Sequence, residues 1–215
     1  MIIELDAMNY WQLKWLDDFL IGHKGFICGG CFKNIFNNER AKDLDVFFKS
    51  HEDWQDAVEY FDTMTPGYEG PDKQTETYRF YYENKNVKAY KHIQTGTVIE
   101  LCCKIFGAPK EIIDSFDFTI TKFALYKEEV EDENGEKHIE SKIVCDDKFF
   151  EHLHLKRLVV DNKIPYPMST FERMLRYARY DYFPCRETKM KIIKAIRELD
   201  EKQIELPEIF YDGMD

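Results

Sequence analysis

Residues 26–48 read FICGGCFKNIFNNERAKDLDVFF, and two chemistries compete for them. Cys28-Gly29-Gly30-Cys31 has the C-x-x-C spacing of a redox dithiol or of half a zinc site. Gly29-Gly30, followed after twelve residues by Asp43-Leu44-Asp45, has the parts of a site that holds phosphates and a metal ion. The flanking pattern predicts a short buried strand at 26–28, a helix over 31–38 closed by Asn37-Asn38, and a second strand from Asp43 to Phe48.

Zinc requires two more ligands than the pair Cys28 and Cys31 supplies. Cys102 and Cys103 are adjacent, so a strand sends their side chains to opposite faces, and His152 and His154 diverge on a predicted helix. The glycines explain the local turn without sulfur chemistry. Cys28 and Cys31 are therefore read as packing residues.

The carboxylates read differently. Asp43 and Asp45 stand at i and i+2 on a strand, which puts both on one face. Two like charges so close repel unless a cation lies between them, and Mg²⁺ bound by carboxylates and substrate phosphates resolves the repulsion. Gly29 and Gly30 carry no β-carbon, so their N–H groups can approach phosphate oxygens at the positive end of the helix that follows. A lone D-x-D is more often a solvated strand edge, and a lone Gly-Gly a turn. Their order and spacing carry the reading.

The rest of the 215 residues sets the frame. With 44% hydrophobic and 15% aromatic residues the chain can bury a core, and a net charge of −11 argues against strong non-specific nucleic-acid binding. No apolar run is long enough for a membrane span, and the start lacks a basic, apolar leader. Six cysteines without an export signal read as free thiols in a cytoplasmic protein. Residues 151–199 hold eleven Lys/Arg against six acids, a basic tail on an acidic head.

A first amphipathic helix is predicted over 9–21, with Trp11, Leu16, Phe19 and Leu20 on its buried face. Ser50 with Asp53 opens a helix to about Phe61. Strands are predicted at 75–82, 87–92 and 97–106, a short helix at 110–114 behind Pro109, and a hairpin of 116–127 with 137–145 around Asn134-Gly135. Beyond residue 147 the pattern turns helical. Ser169-Thr170-Phe171-Glu172 reads as a capping box ahead of a face of Phe171, Met174, Leu175 and Ala178, and Ile192, Ile193, Ile196 and Leu199 form another. The predicted class is α+β: a mixed, largely antiparallel sheet flanked by helices in a head of residues 1–146, then a helical extension over 147–215.

Gly29-Gly30 and Asp43-Leu44-Asp45, at this distance, resemble the signature of the DNA polymerase β-type nucleotidyltransferase superfamily, above all the head of CCA-adding enzymes and bacterial poly(A) polymerases. Asp117-Phe118-Thr119-Ile120-Thr121 is similar to a downstream segment of those enzymes that helps bind the incoming nucleotide. Residues 169–180, STFERMLRYARY, resemble their arginine-bearing neck helices. Small stand-alone proteins with this head, some carried by phages, look closer still. Two departures stand out. Lys33-Asn34 replaces the family's Arg-Asp, and Ser115-Phe116 replaces its two arginines. Lysine meets a phosphate as a point charge but lacks the bidentate fork.

The resemblance implies transfer of a nucleoside monophosphate from an NTP to an acceptor hydroxyl on RNA, a protein or a small molecule. Asp43 and Asp45 would hold two Mg²⁺ ions (Mn²⁺ as a substitute) about 3.5–4 Å apart. Gly29, Gly30, Lys33 and Lys42 would meet the nucleotide. The third catalytic carboxylate would be Asp117, set on a strand between two phenylalanines, with Glu100 on the strand beside D-x-D as the alternative. Tyr166, Tyr177, Tyr180 and Tyr182 in the basic tail would suit base stacking if the acceptor is RNA. A second reading is a retained fold that binds a nucleotide or protein partner without turnover, for example in a phage–host conflict. A third is a D-x-D sugar transferase.

Overall fold

The computed structural model describes residues 1–132, 134–160 and 164–199. The end of the predicted helical extension, 200–215, lies outside the described residues. β1 (Ile2–Asp6) leads through 3-10 turns at Ala7–Asn9 and Trp11–Leu20 to β2 (Phe26–Cys28), α1 (Cys31–Phe36), β3 (Asp43–Phe47) and α2 (His51–Thr63). The pair β4 (Tyr78–Glu83) and β5 (Val87–His92) follows, then β6 (Val98–Cys102) and α3 (Pro109–Asp114). The hairpin of β7 (Phe123–Glu131) and β8 (Lys137–Asp146) precedes α4 (Phe149–His154), β9 (Arg157–Leu158), α5 (Pro167–Ala178), β10 (Phe183–Pro184) and α6 (Arg186–Arg197).

Among the described residues, eight strands form one sheet in the order β1-β8-β7-β2-β3-β6-β5-β4. Every neighbouring pair is antiparallel except β3 with β6. The class is α+β, as the sequence predicts. No helix among the described residues is long and apolar enough to cross a membrane.

Strand alternation divides the sheet into two buried faces. Ile27, Leu44, Val46, Ile99 and Leu125 pack with Leu16, Phe32, Phe61 and Phe149 in the larger core. Cys28, Phe47, Cys102 and Ala124 face the other way, where Ile112 and Ile113 of α3 cover them. Asp43 and Asp45 share the face of Phe47 by the same alternation. The candidate carboxylates thus belong to the side on which α3 packs.

Several expectations are corrected. β1 was not predicted; it is an edge strand whose Ile2 and Ile3 are only half-buried, so its pattern is weak. The first helix is 3-10, and Leu13, Leu16 and Phe19 recur every three residues to match its three-residue turn. Trp11, expected on the buried face, is 78% exposed. The strand predicted from residue 116 begins only at Phe123, and Asp117 is not on a strand. Thr121 donates its hydroxyl to Phe118 O at 2.8 Å, and the Thr119 hydroxyl meets His152 Nδ1 at 2.8 Å; such local bonds compete with a strand ladder. The predicted strand at 97–106 stops at Cys102. α5 starts at Pro167, a residue pre-set for the first helical position, so Ser169 and Thr170 lie inside the helix rather than capping it. Its buried face is Pro167, Thr170, Met174 and Tyr177, while Leu175 is exposed.

Candidate functional site

The site begins where β2 ends. Gly29 has φ +95°, a conformation that side chains disfavour, and Gly30 caps α1. A β-carbon on Gly29 would stand 3.3 Å from Asp45 Oδ2, and one on Gly30 would stand 3.3 Å from the Tyr177 hydroxyl. Glycine is needed at position 29 for its backbone, and the turn lies tightly between Asp45 and Tyr177.

β3 brings the acids to this turn. Cys28 pairs opposite Asp45 across β2 and β3, and Glu100 lies beside Asp45 in the parallel register of β3 with β6. Asp45 is 8% exposed, and Asp43 is half-buried. Glu100 accepts a hydrogen bond from the Tyr82 hydroxyl at 2.6 Å. Burial, and then this bond, push the Tyr82 phenol pKa up, so the proton stays on the tyrosine.

A cleft opens over Gly29, Gly30 and Asp45. Phe47, Phe116, Ile105 and Lys104 form one side, and Tyr166, Thr170, Arg173 and Tyr177 of the α5 region form the other. Asp117 also lines it. Its carboxylate accepts from Arg173 Nε at 3.0 Å and from Phe118 N at 2.9 Å. The Lys104 ammonium lies 4.9 Å from the centre of the Tyr166 ring.

The structure gathers Gly29, Gly30, Asp45 and Asp117 around one cleft. It places Lys33 elsewhere: its buried ammonium bonds the Asn34 side chain and lies 5.2 Å and 5.7 Å from the Tyr180 and Tyr182 rings. Burial lowers its pKa. Lys33 thereby ties α1 to the chain after α5. Lys42 is exposed at the entry to β3, where its carbonyl accepts from Val98 N at 3.1 Å.

Cys28, Cys31 and Cys102 are buried, and burial pushes their pKa values well above the ordinary thiol value. Such thiols are poor nucleophiles and poor redox centres. Among the described residues no group of three or more His, Cys, Asp and Glu side chains is gathered to hold a metal ion. Asp43 and Asp45 nevertheless offer hard carboxylate oxygens on one face of β3. That donor set suits Mg²⁺, which takes much of its shell from water and substrate phosphates rather than from a protein cage.

Sequence reasoning missed Lys104 and did not single out Arg173 or Thr170. The usable signal was in α5: Tyr166, Thr170, Arg173 and Tyr177 recur at i, i+4, i+7 and i+11, one helical stripe. Apolar residues drew the reading to Phe171 and Leu175 instead.

Residues 6–156 match the family described as Gabija anti-defense 2 family protein. Among solved structures, a CCA-adding enzyme in complex with ATP aligns with TM-score 0.56 at 17% identity, covering 92% of this chain and 47% of its own. The Thermotoga maritima CCA-adding enzyme complexed with tRNA and a CCA-adding enzyme with CTP each align with TM-score 0.54 at 16% identity, with the same coverage. The chain therefore spans about half the length of these enzymes, and the likeness shows a shared nucleotidyltransferase fold. No curated protein matches the sequence.

Proposed function

The chain belongs to the Gabija anti-defense 2 family, and from that premise we propose that it is a Mg²⁺-dependent nucleotidyltransferase whose activity serves an anti-defense role. One observation carries this reading. The glycine turn at the start of α1 stands against Asp45 Oδ2, with a Gly29 β-carbon position only 3.3 Å away.

Gly30 would receive the triphosphate at the turn that Gly29 opens, the Gly29 N–H itself being held by Phe123 O at 3.0 Å, with exposed Lys42 adding positive charge near the start of β3. Asp43 and Asp45 would hold Mg²⁺. When bound, the metal supplies charge neutralisation at the phosphates and lowers the pKa of the acceptor hydroxyl. We assign the third carboxylate to Glu100, the register neighbour of Asp45, because the charge of Asp117 is already matched by Arg173. Glu100 takes the acceptor proton as the acceptor oxygen bonds the α-phosphorus and pyrophosphate leaves with the P–O electrons. Asp117 and Arg173 position α5 over the nucleotide. The head over residues 1–146 would supply the acids, and the extension over 147–215 the second wall. The acceptor is an RNA 3′ end, a protein or a small molecule.

The same Asp117–Arg173 pair motivates a second reading, a fold that binds its ligand without turnover. Titration calorimetry of each NTP, with and without Mg²⁺, on wild type and the Asp43→Asn/Asp45→Asn variant tests the site. Metal-dependent binding lost in the variant is expected, followed by pyrophosphate release with a competent acceptor. Absence of binding to all four NTPs would overturn the proposal, and binding without pyrophosphate release across RNA, protein and small-molecule acceptors would favour the second reading.

A further inference from the structure

One row of residues crosses the sheet face that carries the candidate acids. Asp45 lies beside Glu100 in the register of β3 with β6, Glu100 lies opposite Ala89 of β5, and Ala89 lies opposite Tyr82 of β4. The last step depends on an irregularity. Arg79 faces Lys91 and Phe80 faces Tyr90, so an even ladder would set Tyr81 opposite Ala89; the register shifts after Phe80 and brings Tyr82 there instead. Such a bulge re-aims a side chain. Ala89 is small and buried, and half-buried Tyr82 packs on the cluster that contains it. The Tyr82 hydroxyl thereby reaches back along the row and donates to Glu100 Oε1 at 2.6 Å.

A tyrosine bonded to a carboxylate can serve the fold alone, as Tyr90 does with Asp62 at 2.6 Å on the opposite face. Tyr82 differs in its partner. Glu100 is the group assigned to take the acceptor proton, and a base must lie within hydrogen-bond reach of the proton it removes. The Tyr82 O–H already stands there, in the nucleophile–base pairing that activates a side-chain hydroxyl. Resting on the nucleotide-transfer reading, we propose that Tyr82 is a self-modification site, at which the chain transfers a nucleoside monophosphate from an NTP to its own phenol. The Tyr82 oxygen bonds the α-phosphorus and Glu100 takes the phenolic proton. The bond from the α-phosphorus to the bridging oxygen breaks, and its electrons leave with pyrophosphate. The product is a tyrosyl phosphodiester. Transfer ends at one nucleotide per chain, because no phenol then remains at Glu100.

The full-length chain is incubated in Mg²⁺ with each of ATP, GTP, CTP and UTP labelled at the α-phosphate, with no acceptor added. Intact mass and peptide mapping then locate the label. One nucleoside monophosphate per chain is expected, on Tyr82. Tyr82→Phe should take no label, Glu100→Gln should take it roughly 100-fold more slowly or worse, and Tyr81→Phe should be labelled like wild type. Thermal melts and NTP titration of Tyr82→Phe show whether the lost label is a lost acceptor or a lost fold, and mapping on wild type decides the site even if that variant folds poorly. Label on another residue, or undiminished label in Tyr82→Phe, overturns the inference. So does an unlabelled wild type that still binds NTP in a Mg²⁺-dependent way, and that outcome leaves the nucleotide site standing. Wild type that binds no NTP fails the nucleotide-transfer reading itself, and this inference with it.

Discussion

Arg173 grips Asp117 through two nitrogens on one carboxylate oxygen, Nε at 3.0 Å and Nη2 at 2.7 Å. The other oxygen accepts from the Phe118 backbone at 2.9 Å. This pair joins α5 to the segment after α3, so an ionic contact links the two walls of the cleft. Asp117 is 5% exposed. Solvent cannot replace the arginine there.

Arg173→Ala therefore strands a buried carboxylate and costs about 3 kcal/mol or more of stability. Asp117→Asn/Arg173→Met removes both charges and recovers part of that loss. Urea unfolding of the three proteins checks the order. Equal stability of Arg173→Ala and wild type would mean that the carboxylate is hydrated after all.

Gly29→Ala tests the turn against a control in the same molecule. Gly29 and Gly67 both have positive φ, +95° and +85°, but a β-carbon on Gly67 meets nothing within 4 Å. Both substitutions cost about 1–2 kcal/mol for the left-handed backbone. Only Gly29→Ala also crowds Asp45, so only it should weaken metal-dependent NTP binding, on the order of tenfold or more. Calorimetry beside thermal melts separates the two effects.

The legible parts of this molecule are those whose signal is local. Gly29, Gly30, Asp43 and Asp45 lie within 17 residues, and alternation alone puts both acids on one face. Glu100 was placed beside D-x-D because a strand was expected there, and Asp45 pairs with it across β3 and β6. Asp117 was misread as a strand residue because Phe116, Phe118 and Ile120 alternate. The threonine hydroxyls that break the ladder find partners such as His152, 33 residues away from Thr119, which no local window contains. Lys33 matched the family spacing, yet Tyr180 and Tyr182 claim it through a tertiary contact. Arg173 was hidden for the same reason: its partner is 56 residues away.

The third carboxylate is decided by kinetics. If Glu100 receives the acceptor proton, Glu100→Gln lowers kcat by roughly 10²–10⁴ while NTP affinity changes little. Asp117→Asn should instead weaken nucleotide binding and stability together, through the loosened Arg173. A larger kcat loss in Asp117→Asn with binding intact would return the role to Asp117.

The C-G-G-C pair makes its own prediction. Cys28, Cys31, Cys102 and Cys145 are buried, whereas Cys103 and Cys185 are partly exposed. A thiol reagent should modify two of the six cysteines quickly in the native protein and the rest only on unfolding. Rapid modification of Cys28 or Cys31 would reopen the redox reading.

His23 sets an acid limit on the fold. Its Nδ1 accepts from Gly25 N at 3.0 Å, so the ring hydrogen sits on Nε2, which donates to Phe19 O at 3.0 Å. Phe48, Tyr60 and Phe61 surround the ring. Burial pushes its pKa down from 6.5 to about 4, because a second proton would charge the ring among aromatics and break the Gly25 bond. Between those values the unfolded chain binds more protons at this site than the native one, so stability is full above pH 6.5 and falls as pH drops toward 4. The shift corresponds to about 3 kcal/mol. Urea midpoints from pH 7 to pH 4 should decline in wild type. The decline should be shallower in His23→Gln, which starts less stable at pH 7 but has no ring to protonate. Parallel declines in the two proteins would move the acid sensitivity to other groups.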